Sequence, residues 1–178
     1  MTPFDKAVNE SMLRLAEHPR ALFVGQSVAY DGAKIYGSLE GVPMEKRLEL
    51  PVLEDFQMGF CMGLALQGYL PICIYPRMDF MVLALNQLVN HLDKAPLFGW
   101  HPKVIIRVGV GQKHPLDAGP QHTNDHTEAF RQMLTSIPVV RVGSPVEVTA
   151  AYESALAGKG SVVIVEHPSF YDGWDAFS

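Results

Sequence analysis

Six short, nearly continuous apolar runs limit what this chain can fold into: ALFVG (21–25), RLELPV (47–52), LPICIY (70–75), KVIIRVGVG (103–111), PVVRVGS (138–144) and SVVIVEH (161–167). Runs this short and this apolar read as strands buried on both faces. Helical spacing fills most of the intervals, in FDKAVNESMLRLAEH (4–18), a segment over 54–67 that stops at Gly68, MDFMVLALNQLVNHLDK (78–94), DHTEAFRQMLTSI (125–137) and PVEVTAAYESALAG (145–158). The last begins with Pro in its first turn, where the missing N–H costs nothing. YDGAKIYGSLEGVPMEK (30–46) is rich in turn formers and reads as a loop with one short helix. Strands alternating with helices predict an α/β chain, a three-layer sandwich with a mostly parallel sheet covered by helices on both faces. No internal repeat or low-complexity tract interrupts the pattern, so one domain over 1–178 is expected.

Composition narrows the function. Of 178 residues, 48% are hydrophobic and 19% charged, the balance of an ordered globular protein. The net charge of −5 gives no basic footprint for nucleic acid. Two cysteines, Cys61 and Cys73, both inside apolar stretches, fit reduced buried thiols better than a disulfide framework. The charged N-terminus has no signal-peptide core, and no apolar stretch reaches the roughly 20 residues that span a bilayer. A soluble, cytoplasmic protein is expected.

In an open parallel sheet, ligands sit beyond the carboxyl ends of the strands. Those ends carry Gly25-Gln26, Glu54, Tyr75-Pro76, the Gly109/Gly111 loop and Gly143-Ser144. Glu54 stands where a strand meets a helix. An acid there can simply favour the first-turn N–H groups. Its neighbours Leu53, Phe56, Met58 and Phe60 are apolar, however, which predicts burial. Burial favours a neutral carboxyl and a helix N-terminus an ionised one, and a group balanced between them suits proton exchange. Gly59 and Gly63 lie four apart on the same helix, a sign of close packing on the sheet or on another subunit. RVGVGQK has neither the spacing of a Walker loop nor that of GxGxxG and reads as a glycine-rich strand exit. His122 and His126 are four apart with His114 upstream, but His122 precedes the expected helix start, and no third ligand has diagnostic spacing. An active-site histidine on an ordered loop, or solvent-exposed histidines, fit better, and no metal site is expected in this chain. Phe80 reads either as core or as the wall of a flat-ring pocket.

Taken in order, LFVGQSVAYDGA, the PVLE acid, NQLVNHLDK, GPQHTNDHTEAF and VVRVGSPVEVTAAYESAL…VVIVEH resemble the pyrimidine-binding domain of thiamine-diphosphate enzymes. The resemblance is closest to the beta subunits of 2-oxo acid dehydrogenases, in the transketolase-like group, and runs from about Phe4 to His167. It implies the thiamine-diphosphate-binding fold and a subunit that decarboxylates a 2-oxo acid or transfers a C–C-bonded unit. The family glutamate matching Glu54 bonds the pyrimidine ring nitrogen and promotes the tautomer that deprotonates the thiazolium carbon. By the same match Phe80 holds the pyrimidine face, Gln26 and Val52 line the cofactor site, and His122 meets substrate, whereas His126 has no counterpart.

Two departures qualify the match. The family usually carries an acid directly after the glycine ending the first strand, where this chain has Gln26 and Ser27. Family beta subunits also continue into a C-terminal domain, which is expected to be absent here. The diphosphate and its Mg2+ are held in this family by a second domain marked by GDG and a later Asn. The DG pairs Asp31-Gly32 and Asp172-Gly173 lack that context. The resemblance therefore implies half an active site, partnered by a separate subunit carrying the diphosphate-binding domain in an α2β2 heterotetramer, with magnesium bound by the partner chain. Rival expectations are a beta-like subunit of a lipoyl complex, a non-catalytic assembly subunit, and a small metallohydrolase built on His122 and His126.

Overall fold

The computed structural model of the protein describes residues 2–31, 34–111, 117 and 119–167; His114 and the Asp172-Gly173 pair lie outside them. Six strands form one parallel sheet in the order β2-β1-β3-β4-β6-β5. They are β1 (Ala21–Gly25), β2 (Arg47–Glu49), β3 (Leu70–Tyr75), β4 (Ile105–Gly109), β5 (Val139–Val142) and β6 (Val162–Glu166). Every neighbouring pair is parallel. The helices are α1 (Pro3–Ala16), α2 (Lys34–Ser38), α3 (Glu54–Leu66), α4 (Met78–Met81), α5 (Thr127–Met133) and α6 (Pro145–Ala157). The sequence pattern thus gives the α/β sandwich, and the α2 segment is the short helix in the glycine-rich loop.

Side-chain alternation along the strands divides the core. Phe23, Ile72, Ile74, Ile105 and Ile164 face α1 and α6, meeting Phe4, Val8, Met12, Leu15, Val148 and Tyr152. Val24, Cys73, Ile106, Val108, Val163 and Val165 face the other layer, meeting Met58, Cys61, Met78, Leu88 and Phe130. Such two-sided burial is why the strands read as continuous apolar runs. Helix α1 starts sharply because Thr2 and Asp5 form a reciprocal capping box ahead of Pro3. Helix α6 starts on Ser144, whose hydroxyl accepts from the Glu147 N–H, with Pro145 in its first turn. Helix α3 ends where Gly68 takes a φ of +80°. No helix among the described residues is long and apolar enough to cross a membrane.

The segment over 78–94 departs from the uniform helix its sequence predicts. It opens as α4, tightens to a 3-10 turn over Val82–Ala84 and widens to a π-helix over Asn86–Leu92. The buried residues Met78, Met81, Ala84, Leu88 and Leu92 explain the changing pitch. They are three apart at first and four apart later, so a rod of constant pitch would carry some of them off the core.

Asp93 closes this segment and anchors it. Its carboxylate accepts backbone N–H bonds from Thr135, Ser136 and Ile137 and hydroxyl bonds from Thr135 and Ser136, and it meets Lys94 at 2.7 Å. Burial pushes the carboxyl up, but the bonds from Lys94, Ser136 and Thr135 outweigh it and hold Asp93 well below the usual carboxylate range. A depressed native value means the contribution is complete above the unfolded value of about 4 and fades as pH falls toward the native one. Asp93→Asn is expected to cost about 2–4 kcal/mol at neutral pH. In urea unfolding followed by circular dichroism, the gap between variant and wild type should narrow below about pH 4. A gap unchanged from pH 7 to pH 3 would contradict the ionised role.

Candidate active site

The chain leaves β1 toward β2 on one side of the sheet, while β3 pairs with β1 on the other. That change of direction is the topological switch point, beyond the carboxyl ends of β1 and β3, where open parallel sheets take their ligands. Two glycines allow close packing there. A Cβ on Gly25 would lie 2.5 Å from the Ile74 carbonyl oxygen, and one on Gly111 would lie 1.7 Å from that of His122. Only glycine lets β1 approach β3 this closely and lets the His122 loop rest on the exit of β4.

Beyond β1, Gln26 is half-buried and its Nε2 is buried with no partner among the described residues. The loop that carries it is held by Glu49 at the end of β2. The Glu49 carboxylate accepts N–H bonds from Ser27 at 2.6 Å and from Val28 and Ala29 at 2.8 Å. Ser27 takes a φ of +57°, which turns these N–H groups toward one acceptor.

Glu54 is the first residue of α3 and only 6% exposed. Its carboxyl has no hydrogen-bond partner among the described residues, while its backbone carbonyl accepts from the buried Tyr75 hydroxyl at 2.9 Å. The burial expected from its apolar neighbours holds, but those neighbours do not all provide it. Met58 is buried, whereas Leu53 and Phe56 are 55% and 51% exposed and Val52 is 72% exposed. Glu54 thus lies at the edge of an apolar surface. Gly59 packs on the Gln87 side chain and Gly63 faces open space, so the close contact of these glycines is with the π-helical segment at one and, among the described residues, with nothing at the other.

Beyond β3, α4 presents Phe80, and the loop over 119–126 brings His122 edge-on to it with ring centroids 5.2 Å apart. The Nδ1 of His122 is buried without a partner among the described residues. The same turn seats the rest of the loop. Asp79 accepts from Asn124 Nδ2 and lies 3.8 Å from His126 Nε2, and the His126 N–H meets the Met78 sulfur. His122 and His126 therefore face different partners, and among the described residues no three His, Cys, Asp or Glu are grouped to hold a metal ion. Cys61 and Cys73 are free and buried. Tyr75 was named only as a strand end, and Gln57, Glu49 and Asp79 were not singled out from sequence.

The structure thus gathers Gln26, Glu54, Phe80 and His122 at one end of the sheet, with Val52 exposed on the approach to Glu54. A family model of the transketolase pyrimidine-binding domain matches residues 4–172. The mitochondrial pyruvate dehydrogenase E1 component subunit beta of Homo sapiens is 28% identical over 174 residues, covering 93% of this chain and 47% of that protein. The corresponding subunit of Chlorokybus atmophyticus is 24% identical over 174 residues, covering 94% of this chain and 50% of that protein. The chain spans about half the length of the curated relatives it matches. A split-gene transketolase, described as an inactive beta4 tetramer, superposes with a TM-score of 0.69 at 18% identity over 94% of this chain and 51% of that one. The thiamine diphosphate-dependent 4-hydroxybenzoylformate decarboxylase of Rhodococcus jostii RHA1 gives 0.64 at 14% identity over 92% of this chain and 30% of that one. Fold, strand order and the family match over nearly the whole chain agree: it belongs to the transketolase pyrimidine-binding domain family.

Proposed function

We propose that this chain is the pyrimidine-domain subunit of a split thiamine-diphosphate enzyme that decarboxylates a 2-oxo acid or transfers a C–C-bonded unit. The observation that carries the reading is Glu54, a residue only 6% exposed whose carboxyl is unbonded among the described residues, at the sheet end that also holds the Phe80–His122 pair. The residues present fit an aminopyrimidine ring: an unbonded carboxyl on a buried residue, an aromatic face and the amide nitrogen of Gln26, which has no partner among the described residues. When bound, thiamine diphosphate supplies an electron sink for cleaving the bond beside the substrate carbonyl.

Glu54 would hold a proton at the ring nitrogen of the bound cofactor. Phe80 supports the flat face and Val52 the apolar rim. Gln26 donates through Nε2, but a carboxamide cannot pass a proton onward as the family's acid would. His122 is oriented by Phe80 and offers an unpaired Nδ1 to a substrate oxygen. The exposed Val52, Leu53 and Phe56 beside Glu54 support a partner surface there. That partner is a separate chain carrying the diphosphate-binding domain and its Mg2+, in an α2β2 assembly, with this chain contributing the pyrimidine-binding domain.

The test is near-UV circular dichroism of the chain purified with its native partner and titrated with thiamine diphosphate and magnesium. Aminopyrimidine tautomer bands in the wild type that are lost or altered in Glu54→Gln support the reading. A complete assembly with no cofactor signal overturns it. Gln26 in place of the acid favours a second reading, a non-catalytic assembly subunit on the same fold, which predicts that Glu54→Gln changes nothing. Reductive acylation of a lipoyl peptide would instead place the chain in a 2-oxo acid dehydrogenase complex.

A further inference from the structure

Helix α3 begins without a side-chain cap, since Leu53 occupies the N-cap position and offers no acceptor. A first turn left so is prone to fray. Two buried side chains tie it to β3 instead. The Tyr75 hydroxyl donates to the Glu54 carbonyl at 2.9 Å. Gln57 Nε2 donates to the Ile74 carbonyl at 2.9 Å and to Cys73 Sγ at 3.4 Å. Tyr75 is 1% exposed and Gln57 0%. One bond runs from strand to helix and the other from helix to strand, so they bracket the turn that carries Glu54. Burial, with Cys73 and Glu54 nearby, keeps the Tyr75 phenol far above its ordinary range, so it remains a donor. The Glu54 carboxyl itself is left free of hydrogen bonds to the described residues.

We infer that Tyr75 and Gln57 are positioning residues for Glu54: they fix the backbone from which its carboxyl projects and leave the carboxyl for the ligand. The inference rests on reading Glu54 as the acid that meets the cofactor ring. A carboxyl held on an anchored turn needs no ordering when the ring arrives, and that preorganisation should appear as affinity.

The experiment uses the chain in complex with its native partner, as wild type, Tyr75→Phe, Glu54→Gln and the double variant, each titrated with thiamine diphosphate and magnesium. Tyr75→Phe keeps the buried ring and removes one oxygen. Its cofactor Kd is expected to rise about three- to tenfold, the scale of one neutral hydrogen bond, with weaker tautomer bands. In the double variant Tyr75→Phe should add nothing to Glu54→Gln, because it acts through Glu54. Amide hydrogen exchange over 53–58 in the cofactor-free complex should quicken in Tyr75→Phe. Gln57→Leu, a second route to loosening the same turn, should weaken the cofactor in the same direction. Full additivity in the double variant overturns the inference, as does wild-type affinity in both Tyr75→Phe and Gln57→Leu; the bonds then serve stability alone. If wild type and Glu54→Gln bind the cofactor alike, the reading of Glu54 fails first, and this inference falls with it.

Discussion

On the proposed function, Glu54→Gln in the complex with its partner is expected to lower turnover by about two to four orders of magnitude, the scale of a positioned acid–base group, while the substrate KM stays nearly unchanged. The carboxamide has almost the same shape but cannot take up and release a proton at the cofactor ring. The fold should barely register the change. The carboxyl has no hydrogen-bond partner among the described residues, and the bond from Tyr75 goes to the backbone carbonyl, which the substitution leaves in place. The urea midpoint should therefore match the wild type, so that a lost rate cannot be ascribed to unfolding. Steady-state kinetics on a panel of 2-oxo acids and ketoses checks the prediction. A variant that turns over at the wild-type rate would remove Glu54 from the chemistry.

The strands were legible because burial on both faces makes each a continuous apolar run: ALFVG coincides with β1 and LPICIY with β3. The pitch of the 78–94 segment was not, because it follows from which residues the sheet below can receive, and local propensity does not carry that information. Glu54 is buried as its apolar neighbours predicted, yet Leu53 and Phe56 themselves lie on the surface beside it. At the site, Phe80 and His122 could be named through a resemblance, and the structure sets them edge to face. The roles of Tyr75 and Gln57 could not. Tyr75 could be placed at a strand end, but the partner of its hydroxyl is a backbone carbonyl 21 residues earlier in the chain. Main-chain partners leave no mark in a sequence.

Arg107 left a mark, as a charged residue inside KVIIRVGVG, but its meaning needed the fold. It pairs with Glu166, 59 residues away, through Nε–Oε1 at 2.9 Å and Nη2–Oε2 at 3.0 Å, with side-chain exposures of 4% and 6%. Tyr152 donates to Glu166 Oε1 at 2.8 Å, and Arg107 Nη1 donates to the Ser38 hydroxyl at 2.7 Å. Burial first, and then the Glu166 charge, push the Tyr152 phenol well above its ordinary value, so it stays a donor and cannot substitute for the cation. Arg107→Met is expected to lower stability by about 3–5 kcal/mol, because it removes the cation that makes two hydrogen bonds to a buried carboxylate. That is a large part of the roughly 5–15 kcal/mol a domain possesses. Adding Glu166→Met should recover much of the loss, since two apolar side chains need no compensating charge. Urea unfolding of the two variants checks this, and an unchanged midpoint in Arg107→Met would show that the pair contributes no net stability. The pair also carries register. Arg107 lies opposite Ile164 and Gly109 opposite Glu166 across β4 and β6, so the two charged side chains share one face. A slip of one residue would turn Arg107 and Glu166 to opposite faces of the sheet, each charge buried alone. If that is what the pair enforces, the double variant should keep the stability and lose sharpness, unfolding with a smaller m-value than the wild type.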